Sequence, residues 1–123
     1  MGPISGVAVI SLEQVDPIEL PHGSWSRMLV TDKQIEGNRA SLGYSVFTPG
    51  TELTPVKHET EEVAYVVSGR GELRLDDRAV PFAPGDALYI PADTWHAVAN
   101  TGADEVIMVF GFPHPDYPPT ERR

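Results

Sequence analysis

GTELTPVKHETEEVAYVVSG, residues 50–69, and GDALYIPADTWHAVAN, residues 85–100, are runs of apolar and β-branched residues cut by Gly, Pro, Asp and Asn. That punctuation predicts short strands joined by tight turns. Alternate strand residues share a face, so Thr54, Val56 and His58 form one row, Glu62, Ala64 and Val66 a second, and His96, Val98 and Asn100 a third. If these rows face inward, His58, Glu62 and His96 converge, because the turn Glu59–Glu61 is short enough to keep His58 beside Glu62. Two imidazoles and a carboxylate suit one divalent transition metal, iron, manganese, nickel, copper or zinc, provided that rigid neighbours hold them.

Working outward, further apolar clusters lie at Val7–Leu12, Trp25–Val30, Leu42–Phe47, Leu73–Leu75, Val80–Phe82 and Val106–Phe112. With 12 prolines and 11 glycines spread along 123 residues, many short strands are expected rather than long helices, in a sandwich or barrel. Asp76-Asp77 reads as a hairpin turn, and only Leu12–Leu20 offers a turn of helix. One domain is expected over residues 1–112, followed by a Pro-rich tail, 113–123, lying over the surface or partly disordered. Val63–Val67, VAYVV, is apolar on both faces, as is Val106–Phe112. Their outer sides call for a cover: an N-terminal strand from residues 1–35, or a second subunit, which makes a homodimer the expected assembly.

The net charge of -9 argues against a nucleic acid partner and against an anionic membrane surface, since both are bound by clustered Lys and Arg. The absence of Cys leaves only nitrogen and oxygen ligands for a metal. No basic, apolar leader and no stretch of about 20 apolar residues is present, and Gly6 stands where a myristoylation signal needs Ser or Thr, so a soluble cytoplasmic protein is expected.

The two quoted segments resemble the paired motifs of the cupin superfamily, G-x5-H-x-H-x3,4-E-x6-G and G-x5-P-x-G-x2-H-x3-N. Gly50, His58, Glu62 and Gly69 match the first; Gly85, Pro91, His96 and Asn100 match the second. The resemblance covers about the central half of the chain, and two motifs in order with their internal spacing kept make it specific. It implies an all-β, antiparallel jelly-roll barrel with the site inside. Asp93 replaces a motif glycine at a turn that Asp tolerates. Val56 replaces the first motif histidine, and its side chain cannot coordinate a metal.

Three arrangements are compatible with Val56. The remaining His58, Glu62 and His96 can form the facial triad of many non-haem iron oxygenases. Another group, Glu52, Tyr44, His22 or His114, can complete the set. Or the site holds no metal and is a polar pocket for an organic ligand. Tyr44, Val56, Met108 and Phe110 are the candidate pocket walls, with parity pairing Tyr44 with Val46 and Met108 with Phe110 as inward residues. Trp95, next to His96, is expected to face away from the site, and Glu61 to be solvated. The resemblance spans oxygen-dependent cleavage and metal-dependent isomerase, lyase or cyclase chemistry on a small organic molecule, with a slight lean to oxygen chemistry from the open coordination position. The competing class is a non-catalytic module that binds a small ligand or a metal.

Overall fold

Every second residue of Val106–Phe112 is buried, Val106, Met108, Phe110 and Phe112 on one side, which is the signature of a strand with one face in a core. The computed structural model describes residues 2–123, and in it this strand, β10, is the centre of a six-stranded antiparallel sheet in the order β1-β2-β3-β10-β5-β8. Here β1 is Ile18–Glu19, β2 Trp25–Val30, β3 Ser41–Phe47, β5 Glu62–Ser68 and β8 Ala87–Ile90. The facing wall is built from β7 (Ala79–Phe82), β6 (Gly71–Arg74) and β9 (Ala97–Ala99), with β4 (Val56–His58) and β11 (Thr120–Arg122) as a second pair. Reciprocal backbone hydrogen bonds between Val56 and His96, 3.0 and 2.9 Å, join the two pieces of this wall.

The inner faces enclose one apolar cluster in which Phe47, Val66, Phe82, Val106 and Met108 meet, Val66 and Val106 being fully buried. This is the antiparallel jelly-roll barrel that the motif resemblance implies, within the sandwich-or-barrel class that the strand pattern predicts. The Asp76-Asp77 turn is in place, closed by a 2.8 Å bond from the Leu75 N–H to the Arg78 carbonyl. Asp93 has φ 57°, the left-handed conformation that its place at a motif glycine requires. Leu12–Gln14 forms a turn of 3-10 helix within the window where a helical turn is expected, and Pro21–Gly23 forms a second one beyond it.

Three readings change. On β3 the inward row is Gly43, Ser45 and Phe47, not Tyr44 and Val46: Tyr44 lies on the outer side, its ring stacked on Trp25 at 5.9 Å. Alternation points the wrong way here, because Leu42, Tyr44 and Val46 are the more apolar row and the inward row carries Ser41 and Ser45. The choice is made across the sheet, where the Phe110 ring covers the Cα of Gly43 and occupies the place any Cβ would take. Second, the N-terminal segment does not cover the outer side of β5. It adds β1 and β2 to the far edge of the sheet, and Val63, Tyr65 and Val67 remain 51, 52 and 48% exposed. Third, the tail is no surface appendage, because Thr120–Arg122 pairs with β4 in register Thr120 to His58 and Arg122 to Val56.

Candidate metal centre

His58 ends β4 and Glu62 opens β5, so the three-residue turn between them sets both at the same open end of the barrel. His96 arrives from the other wall, fixed opposite Val56 by the backbone bridge. The result is a tight group. Oε1 of Glu62 is 3.3 Å from Nε2 of His58 and 3.4 Å from Nε2 of His96, and one donor atom from each residue lies within 4.8 Å of the others. Two ligands each ~2.1 Å from one ion lie about 3.0 to 3.4 Å apart at octahedral and tetrahedral angles, so these spacings fit a single divalent ion. Both imidazoles are buried, 4% and 5% exposed.

The outer nitrogen of each ring is engaged in a way that decides its tautomer. Nδ1 of His96 lies 2.8 Å from the Thr94 carbonyl, which can only accept, so Nδ1 carries the proton. Nδ1 of His58 lies 2.7 Å from Oγ1 of Thr120. That hydroxyl donates its one proton to the Pro118 carbonyl at 2.8 Å, so its oxygen accepts from His58. Both Nε2 atoms are thereby aimed at the centre, each with a free lone pair when its ring is neutral, the arrangement in which partners behind the ligands orient them for a metal.

Electrostatics agree with a site poised between a proton and an ion. Burial would raise the Glu62 pKa, but hydrogen bonds from His58 and His96, and their charge, hold it below its usual value. Burial would lower that of His96, but the hydrogen bonds to Glu62 and the Thr94 carbonyl, with the Glu62 charge, raise it. Without a metal, His96 therefore tends to hold a proton between itself and Glu62.

Beside this group lies a cavity of about 430 Å³, within the size range of small-molecule pockets. Val56, Met108 and Phe110 line it, as the sequence suggests; Tyr44 does not. None of the four residues considered as a replacement for the missing histidine reaches the centre: Glu52 is ion-paired with Arg74 at the surface at 2.9 Å, and Tyr44, His22 and His114 are outside the cavity wall. Trp95 faces away from His96, with Lys57 and Arg123 over its ring at 5.2 and 4.2 Å. Glu61 is exposed and accepts a 3.0 Å bond from the Tyr89 hydroxyl.

The polar groups that sequence reasoning missed come from β2, β3, and β11 with the segment that leads into it. Ser26 and Ser45 meet at 2.6 Å in the cavity wall, opposite each other on β2 and β3. Tyr117 and Arg122 line the mouth, the Tyr117 ring standing edge-on to His58 at 5.2 Å and to Phe112 at 5.4 Å. The prolines around Tyr117 mask this role in the sequence. The one available signal is Thr120, a β-branched residue in a segment otherwise poor in strand formers.

The Cupin domain family matches residues 43–112, which contain both histidines and Glu62. The polyketide synthase CurC of Streptomyces cyaneus is 31% identical over 103 residues, 83% of this chain and 66% of CurC, so the chain spans about two thirds of that relative. Protein SchB of Streptomyces halstedii is 32% identical over 113 residues, 88% of this chain and 81% of SchB. Among solved structures, the polyketide cyclase RemF of Streptomyces resistomycificus superposes with a TM-score of 0.78 at 21% identity, covering 95% of this chain and 85% of RemF. With the family matched over more than half its length, and with that family's strands in place around the site, this chain belongs to the cupins.

Proposed function

We propose that this cupin binds one divalent transition metal, iron, manganese, nickel, copper or zinc, through His58, Glu62 and His96 and acts on a small oxygenated organic molecule in the barrel. The observation that carries the reading is the pair of fixed ring orientations: two buried imidazoles, each with its Nδ1 proton engaged behind the site, aim Nε2 at one carboxylate at 3.3 and 3.4 Å. A bound ion supplies Lewis acidity at a carbonyl or enolate oxygen. The chain's own residues do the rest. Val56, in place of a fourth ligand, leaves a coordination position towards the cavity, the apolar walls exclude water, and the Ser26–Ser45 pair has a hydroxyl proton left to give to a ligand oxygen.

The redox-neutral form of this reading, ring closure or isomerisation of a carbonyl compound, is favoured by the kinship with CurC and the fold shared with RemF. Oxygen-dependent cleavage is the second reading, favoured by the two-His-one-carboxylate set itself. Elemental analysis of protein purified without chelator or metal-affinity resin comes first, and about one transition metal per chain is expected. The loaded protein is then given a linear poly-β-carbonyl compound with and without oxygen. Product formed equally in both supports the Lewis-acid reading, whereas product tied to oxygen uptake replaces it with the oxygenase. A protein that neither carries nor takes up a metal ends both.

We also propose a cytoplasmic homodimer formed over the outer side of β5, because Val63, Tyr65 and Val67 with Tyr89 of β8 leave a half-exposed apolar strip there. No helix among the described residues is long and apolar enough to cross a membrane. Light scattering should give twice 13.4 kDa; a mass of 13.4 kDa at all concentrations would rule the dimer out.

A further inference from the structure

Glu121, Arg122 and Arg123 separate their charges. Glu121 turns outward to Lys57, 3.4 Å away. Arg123, beyond the strand, makes two bonds to Asp76, 2.6 and 3.1 Å, and lies over Trp95. Arg122 between them turns the other way: it is paired in register with Val56 and shares the inward face of Thr120, the residue that holds His58. Its guanidinium is the only Lys or Arg group among the residues lining the cavity. Among the described residues it has no carboxylate within ion-pair distance, although the chain carries 18 acidic against 9 basic side chains. The one acidic group of the cavity, Glu62, is already shared by two imidazoles. Beside Arg122 stands the phenol of Tyr117, over His58.

Taking the barrel as a ligand pocket, as above, we infer that Arg122 and the Tyr117 hydroxyl form a subsite for a carboxylate or enolate oxygen of the ligand. The molecule taken up is then a small, mainly apolar organic anion. A guanidinium offers five donors in a planar fork that matches a carboxylate and has no acceptor capacity of its own, so an anion is the partner it lacks. The rest of the wall, with Met28, Phe47, Met108 and Phe110, suits a hydrocarbon or aromatic body. Position matters as much as charge: Arg122 is at the mouth, so the anionic end lies near solvent while the body extends inward past His58.

The test uses the full chain, loaded with zinc and, in parallel, stripped with EDTA, titrated with benzoate and with its neutral counterpart benzamide while side-chain NMR signals of Met108 and Phe110 are followed. Benzoate should bind at least several-fold more tightly than benzamide in both forms. Arg122→Gln should weaken benzoate about tenfold and leave benzamide unchanged, with Arg122→Lys in between because it keeps the charge and loses the fork. Equal binding of the two probes, or benzoate binding that survives Arg122→Gln, overturns the subsite and leaves the pocket standing. If neither probe moves the Met108 and Phe110 signals, the pocket reading falls and the subsite with it.

Discussion

His96 is held from within its own turn, by the carbonyl of Thr94 two residues earlier, whereas His58 is held from the far end of the chain, by Thr120 62 residues on. The two rings do the same thing at the centre and depend on different parts of the fold. The local lock exists whenever the turn Pro91–His96 exists. The distant lock exists only when β11 docks on β4, and β11 is a three-residue strand paired with β4 alone, the kind of element that opens at low cost. Half of the candidate metal centre is therefore built in by the second barrel motif, and half is conditional on the tail.

The harshest way to break the comparison is to remove what the two halves share. Glu62→Gln takes away the carboxylate whose Oε1 meets both Nε2 atoms, so zinc affinity measured by calorimetry should fall at least about 100-fold while the far-ultraviolet dichroism of the barrel is kept. Affinity within a few-fold of the parent would mean that the trio is no metal site.

Thr120→Val breaks one half alone. It keeps the shape of the side chain and removes the oxygen that accepts from His58, so affinity should drop about tenfold, with Thr120→Ser restoring it. The diagnostic is nitrogen NMR of the imidazoles: His58 should lose its single tautomer and His96 should keep it. A chain ending at Pro119 should behave like Thr120→Val at the metal. If both rings change together, the two locks are not independent.

The sequence made one half of this site legible and hid the other for a physical reason. Glycine, proline and histidine at fixed offsets specify a turn and the residue it presents, so His58, Glu62, His96 and the left-handed turn at Asp93 could all be placed. Met108 and Phe110 could be placed because β10 is a long strand with a consistent inward row. Tyr44 could not, because its row of β3 is the more apolar one, and it is the Phe110 ring on Gly43, across the sheet, that turns the other row inward. Nor could Thr120, Tyr117 and Arg122, because their roles follow from pairing with a strand more than 60 residues earlier, and four nearby prolines read as a disordered end. The outer face of β5 shows the converse: its apolar row was legible, yet Val63, Tyr65 and Val67 stay about half exposed among the described residues.

Val56→His adds a ligand on β4 itself, the strand that β11 pairs with, directly across the backbone bridge from His96. Val56 lines the cavity and is bridged to His96 through backbone alone, so its side chain can be exchanged without disturbing that bridge. Zinc affinity should rise several-fold, and the rise should shrink the penalty of Thr120→Val, since a new donor shares the load that His58 carries. Unchanged affinity would mean that the position Val56 leaves open is not directed at the ion.

The smallest expected effect is one of sign. In the metal-free protein the His96 pKa is raised above 6.5, since burial, which lowers it, is outweighed by the bonds to Glu62 and the Thr94 carbonyl. Its contribution to stability is complete below 6.5 and is lost as pH rises through the higher folded value. Glu62, held below 4.5 by its histidine partners against burial, contributes above 4.5 and loses that contribution as pH falls through its lower folded value. The metal-free protein should therefore be helped most by this pair between 4.5 and 6.5 and should melt at progressively lower temperature above that window. Loaded with zinc, the same residues must give up the His96 proton, so protonation competes with the ion and the stabilisation due to metal should grow with pH over the range in which the metal-free pair weakens. Melting curves of the two forms, recorded side by side from about pH 6 to about pH 8, should diverge. Parallel curves would mean that the proton on His96 and the metal do not compete for the same nitrogen.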